Sequence, residues 1–126
     1  MARVLVVEDN RLLREGYKRF LEQHGHTVFL AWTVDGARLQ LDKADPEYVI
    51  LDLELAGDIM AGREVAELIP DGMPFAVITG HDIDHVRPRL TRNPFASAIW
   101  LVKPPTDVEY LDLRAAIEAA SPEEGP

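Results

Sequence analysis

Val4-Leu5-Val6-Val7-Glu8-Asp9-Asn10 is a continuously apolar, mostly β-branched run that stops abruptly at two acids and an amide. An apolar run without polar alternation is the pattern of a strand buried on both faces, as in a parallel sheet. Outward from it, Leu13, Tyr17, Phe20 and Leu21 recur at helical spacing until His24-Gly25. Glycine there suits a left-handed C-cap, so the segment predicts a helix of about three turns. The alternation continues with strands over Thr27–Ala31, Tyr48–Leu51, Phe75–Ile78 and Ala98–Val102, and helices over Val34–Leu41, Met60–Ile69 and Val108–Ala120. Strands alternating with helices predict an α/β protein with a parallel sheet covered on both faces. Between Asp82 and Asn93 a short, irregular helix is expected, because Pro88 lacks a backbone donor.

The chain has 126 residues, 47% of them apolar, which suits one compact domain with a single core. A domain over residues 1–120 is expected, followed by a flexible tail at 121–126, Ser-Pro-Glu-Glu-Gly-Pro. With 22 acidic and 13 basic residues the net charge is -9, so most of the surface repels a nucleic-acid backbone. Cysteine is absent, which removes disulfides, thiolate metal sites and thiol nucleophiles. The apolar run Val4–Val7 is too short for a signal sequence or a membrane span, so a soluble cytoplasmic protein is expected.

In an open parallel α/β sheet, ligands bind beyond the carboxyl ends of the strands, where strand order reverses. The first strand delivers Glu8 and Asp9 there, the third Asp52, the fourth Thr79, and the fifth Lys103 followed by Pro104. Carboxylates converging from two strands repel one another unless a cation sits between them, and hard oxygen ligands suit Mg²⁺, or Mn²⁺ in its place. Magnesium keeps open positions for water and for a phosphate oxygen. Lys103 adds a point charge able to pair with Asp52 when the site is empty and with a phosphoryl oxygen when it is filled. Thr79 offers a hydroxyl. His24, His26 and His85 show no metal-ligand spacing and read as solvated or helix-capping residues.

Taken in order, Val-Val-Glu8-Asp9-Asn10, Val-Ile-Leu-Asp52-Leu, Val-Ile-Thr79-Gly80 and Leu-Val-Lys103-Pro104 resemble the receiver domain of two-component response regulators, over essentially the whole chain. The resemblance implies a flavodoxin-like (βα)5 fold, a doubly wound five-stranded parallel sheet in strand order 2-1-3-4-5. It also implies a phosphoacceptor switch rather than a metabolic enzyme, with intrinsic self-phosphorylation and autodephosphorylation. Asp52 would take the phosphoryl group from a histidine kinase or histidine phosphotransfer protein. Asp9 would bind Mg²⁺ directly, Glu8 largely through water, and the main-chain carbonyl of Glu54 would complete the protein ligands. Lys103 and Thr79 would hold the phosphoryl group, and the Lys103–Pro104 bond would be cis. A stand-alone regulator acting through phosphorylation-dependent binding to a downstream protein is expected, with neither nucleic acid nor membrane as partner.

The family's aromatic switch position, three before the lysine, is Trp100 here, bulkier than the usual tyrosine or phenylalanine. The positions that tune phosphoryl lifetime are Glu54 and His81. After Asp52, Leu55-Ala56-Gly57-Asp58 replaces the usual turn, and Gly62 lies ten residues on from Asp52, which predicts a longer loop beside the site. Other readings fit less well. A haloacid-dehalogenase-type phosphatase carries its nucleophile on the first strand with a second aspartate two residues later, whereas Asp52 is on the third and Glu54 follows it. A flavodoxin-like cofactor module needs a phosphate loop after the first strand, where Glu8-Asp9 would repel it. A degenerate receiver serving as a scaffold is disfavoured by the intact set of five residues.

Overall fold

The apolar runs form strands, and the amphipathic segments between the first four of them form helices. The structure, a computed structural model, describes residues 2–80, 98–103 and 107–120. In chain order these are β1 (Arg3–Val7), α1 (Arg11–Gln23), β2 (Thr27–Ala31), α2 (Val34–Lys43), β3 (Tyr48–Asp52), a 3-10 turn (Leu55–Gly57), α3 (Ile59–Leu68), β4 (Phe75–Thr79), β5 (Ile99–Val102) and a C-terminal helix, α4 (Asp107–Ala120). The expected helix over Asp82–Asn93, together with His81, His85, the bond to Pro104 and the tail 121–126, lies outside the described residues.

The strands make one parallel sheet in the order β2-β1-β3-β4-β5, the expected doubly wound topology. Successive side chains enter opposite layers. Leu5, Val7, Val49, Leu51 and Val77 pack with Ala37 of α2 and with Val65 and Ala66 of α3. Val4, Val6, Ile50, Ala76 and Ile78 pack with Tyr17 and Leu21 of α1 and with Leu113 and Ile117 of α4. Both faces are covered, which is why these strands read as unbroken apolar runs. Each fully buried aliphatic side chain contributes roughly 1.5–3 kcal/mol.

Side-chain caps fix where the helices begin. Asn10 accepts from Leu13 N at 3.1 Å, Thr33 from Gly36 N at 3.0 Å and Asp58 from Met60 N at 2.9 Å. Such caps contribute about 1 kcal/mol each. Helix α3 starts and stops one residue earlier than its periodicity predicts. Asp58 caps its start, and Pro70 pushes Ile69 into extended backbone (φ -71, ψ 126) at its end. Among the described residues, no helix is long and apolar enough to cross a membrane.

One histidine departs from expectation. His24 does sit at the C-cap of α1, its Nδ1 2.8 Å from Phe20 O. His26, expected to be solvated or capping, is buried. Thr27 pairs with Arg3, which draws His26 in beside Ala2, and its Nδ1 accepts from Ala2 N at 3.0 Å.

Beyond β3 the chain turns through two successive left-handed residues, Ala56 (φ 56) and Gly57 (φ 76), before α3 begins. It is Gly62, in the second turn's approach to the strand, that makes the tightest fit. A Cβ there would collide with the Leu53 carbonyl oxygen and stand 2.7 Å from the carbonyl carbon. Both partners are backbone, so neither can yield cheaply. Gly62→Ala is therefore expected to destabilise the protein by about 1–3 kcal/mol, read as a lower urea midpoint at unchanged slope.

Candidate functional site

Parallel register brings the polar strand ends to one edge. Val7 lies opposite Leu51, so Glu8, one step on, stands beside Asp52. Asp52 is paired with Ile78 and Thr79 with Val102, and Lys103 N donates to Thr79 O at 2.8 Å. Each predicted strand-end residue thus arrives at the same mouth.

Glu8, Asp9 and Asp52 each place a carboxylate oxygen within 4.8 Å of the others. Glu8 and Asp52 are each only 1% exposed, while Asp9 stands in solvent. Lys103 Nζ lies 3.1 Å from Asp52 Oδ1 and 3.2 Å from Glu8 Oε2, bridging the two buried acids. Asp52 Oδ1 also accepts from Glu54 N at 3.1 Å, and Glu8 Oε2 from Asn10 N at 3.1 Å. Among the described residues, no donor reaches the other oxygen of each buried acid, Asp52 Oδ2 and Glu8 Oε1. Buried carboxylate oxygens without donors are costly, and hard oxygens grouped at this spacing fit a divalent cation such as Mg²⁺.

The electrostatics follow from that crowding. Burial, then the hydrogen bonds shared with Glu8 and Asp9 and the charge of Glu8, push the Asp52 carboxyl well above the usual carboxylate range; Lys103 offsets only part of this. Asp9 moves the other way: burial works to raise it, but hydrogen bonds from Asp52 and Glu8, its own backbone and the Lys103 charge together bring it down. For Lys103 burial works to lower the ammonium, yet Asp52 and Glu8 outweigh it and hold it above its ordinary value. Crowding of buried carboxylates thus disfavours the charged form of Asp52, while the same carboxylates favour the charged form of Lys103.

Of the remaining predicted residues, Thr79 is fully buried. Its hydroxyl donates to Glu54 Oε2 at 2.6 Å. Glu54 itself turns its side chain away from the carboxylate cluster, toward β4, where Oε1 also accepts from Gly80 N at 2.8 Å. Its main-chain oxygen, an expected metal ligand, accepts from Gly57 N at 2.8 Å. Trp100 is buried at 9% exposure, in the same layer as Val77, the residue it pairs with. Sequence reasoning missed Arg14. Its Nη1 donates to the carbonyls of Glu8 and Asp9 at 3.1 and 3.3 Å, and its guanidinium lies 4.6 Å from the centre of the Trp32 ring. Arg14 therefore fastens the turn that presents both acids. An arginine four residues after a helix-capping asparagine was the available signal.

The comparisons agree with this geometry. The family model described as the response regulator receiver domain matches residues 4–99. Response regulator MprA of Mycobacterium sp. (strain KMS) is 32% identical over 128 residues, covering 98% of this chain and 54% of its own length. MprA of Mycolicibacterium vanbaalenii is 33% identical, with 98% and 53% covered. The chain thus spans about half the length of the curated relatives it matches. The receiver domain of NtrX from Brucella abortus superposes with a TM-score of 0.78 at 22% identity, over 94% of this chain and 99% of that one. The receiver domain of the Francisella response regulator 1452 gives 0.75 at 15% identity, over 95% and 96%. At those identities the structural likeness shows the fold alone. Strand-end chemistry, topology and family model together place the chain in the response regulator receiver domain family of two-component signalling.

Proposed function

We propose that Asp52 accepts a phosphoryl group from a phosphohistidine of a histidine kinase or histidine phosphotransfer protein, and that the acyl phosphate so formed switches binding to a downstream protein. The observation that carries this is Asp52 Oδ2: a buried carboxylate oxygen with no hydrogen bond, beside two further acids and 3.1 Å along the same carboxylate from a charged lysine. Attack by an Asp52 oxygen on phosphorus forms the P–O bond as the N–P bond to imidazole breaks, and the leaving imidazole takes a proton from solvent. Most of the work is positioning and charge neutralisation.

The chain's own groups divide that work. Glu54 N and Lys103 Nζ hold Asp52 Oδ1, which orients the carboxylate and leaves Oδ2 to react. Arg14 fixes the carbonyls of Glu8 and Asp9, so both acids face the cleft. Glu8, Asp9 and Asp52 would hold Mg²⁺, with Mn²⁺ as substitute and the Glu54 carbonyl as a further ligand. The ion supplies neutralisation of the clustered carboxylates and of the phosphoryl oxygens. Lys103 and Thr79 would contact the transferred group. Self-phosphorylation from small phosphodonors and slow autodephosphorylation belong to the same reading, as does a readout through Trp100, which shares a sheet face with Thr79.

Incubation with Mg²⁺ and acetyl phosphate is expected to add one phosphoryl group, seen by intact mass as a base-labile adduct. Asp52→Asn abolishes it, and Lys103→Ala slows it by on the order of a hundredfold. Undiminished uptake in Asp52→Asn sinks the assignment.

The raised Asp52 carboxyl also sets a pH dependence. Metal binds the deprotonated cluster, so Mg²⁺ binding releases a proton and its apparent affinity rises with pH between about 6 and 8. Calorimetry in buffers of different ionisation enthalpy measures that proton. Without metal, the folded state holds the Asp52 proton more tightly than the unfolded chain does. Stability is then lost as pH rises from the ordinary carboxylate range toward the folded value. Asp52→Asn removes this loss, so metal-free thermal midpoints are expected to be higher in the variant by a few degrees near neutral pH and to vary less with pH.

A further inference from the structure

We propose that the Glu54 carboxylate is a built-in anion seated on the donors that a phosphoryl group at Asp52 must use, so that phosphorylation proceeds by exchange of one anion for another. The inference rests on the phosphoacceptor reading of Asp52 and concerns what that site holds beforehand.

Two donors at the end of β4 converge on one acceptor. Thr79 Oγ1 reaches Glu54 Oε2 at 2.6 Å and Gly80 N reaches Glu54 Oε1 at 2.8 Å, so each carboxylate oxygen takes one donor. A bidentate, charge-assisted grip of this kind is stronger than a neutral hydrogen-bond pair. Thr79 ends the strand next to the phosphoacceptor, one step beyond the Asp52–Ile78 pair, and Gly80 follows it directly. A phosphoryl group on Asp52 brings three acceptor oxygens and close to two negative charges into the same mouth. Lys103 is already within reach of Asp52, and phosphoryl oxygens on the β4 side would meet Thr79 and Gly80.

The two sides of the grip differ in mobility. The donors have little freedom to leave, one a fully buried threonine and the other the main-chain amide that follows it. The acceptor is the tip of a two-methylene side chain on a partly exposed turn residue. Glu54 can swing into solvent, whereas the donors stay in place. Charge pushes in the same direction. The cleft already carries Glu8, Asp9 and Asp52. A doubly charged group beside Glu54 is therefore repelled until that side chain leaves. Glu54 thus raises the threshold for phosphorylation, and its return to the donors assists loss of the phosphoryl group.

The test compares the full chain with Glu54→Ala and Glu54→Gln, using Mg²⁺ with beryllofluoride, an inorganic phosphoryl mimic, as the titrated probe. The Gly80 amide is followed in ¹⁵N–¹H spectra. Removing the resident anion is expected to tighten beryllofluoride binding and to speed acetyl phosphate uptake by about tenfold or more in Glu54→Ala. Glu54→Gln, which keeps the shape and one acceptor, should fall between. Before any probe is added, the Gly80 amide proton should move upfield in Glu54→Ala as its carboxylate acceptor is lost. If wild type binds the probe and neither variant gains, or if the Gly80 amide does not move, the exchange is overturned while Asp52 remains the phosphoacceptor. If no protein binds the probe or takes phosphate, the phosphoacceptor reading fails and the exchange falls with it.

Discussion

Buried like charge at the carboxyl ends of β1 and β3 is the constraint around which the molecule is arranged. Glu8 and Asp52 are each 1% exposed and sit within 4.8 Å of Asp9, with Lys103 bridging the two buried acids. Carboxylates in such a position would be avoided in a fold selected for stability alone, because desolvation and mutual repulsion both oppose their charge. The parallel sheet tolerates them because every strand stops at that edge, where main-chain amides and a metal can enter. Burial is the main force raising Asp52, whereas at the more exposed Asp9 hydrogen bonds and the Lys103 charge outweigh burial and lower it.

That arrangement demands rigid support from behind. The two apolar layers lock β1, β3 and β4 in register, so a shift of one residue would exchange every core side chain with the opposite layer. The turn after Asp52 is fixed from a third direction by Gly62, whose missing Cβ lets α3 rest directly on the Leu53 carbonyl. Leu53 precedes Glu54, so the same contact positions the amide that holds Asp52 Oδ1. Packing in α3 and chemistry at β3 are thus separated by a single peptide.

Much of this was legible in the sequence, because period and position carry it. Unbroken apolar runs followed by acid, hydroxyl or lysine state both that a strand is doubly buried and where it ends, and parallel register then brings Glu8, Asp9, Asp52, Thr79 and Lys103 together. What was not legible depends on rotamers and on contacts across loops. Nothing in the spacing of Glu54 says that its side chain turns toward Thr79 rather than toward Glu8, Asp9 and Asp52. His26 looks like a polar loop residue until β2 pairs with β1 and carries it under Ala2. Arg14 occupies an ordinary helical position, and its grip on two carbonyls exists only once the β1–α1 turn has closed.

The placement of Thr79 and Trp100 bears on how a phosphoryl group would be read out. Val77 pairs with Trp100 and Thr79 with Val102, so the threonine lies diagonally across from the indole, two residues along the same face. Thr79 points its hydroxyl onto Glu54, and Trp100 is buried. A ligand shifts a conformational equilibrium only by its difference in affinity for the two states. If one anion replaces another on the same donors, the threonine need not travel far, and any movement of Trp100 must be driven by the difference in charge and shape between the two anions. The difference between the states would then include the displaced Glu54 carboxylate and the turn that carries it, alongside the face of β5 that holds Trp100.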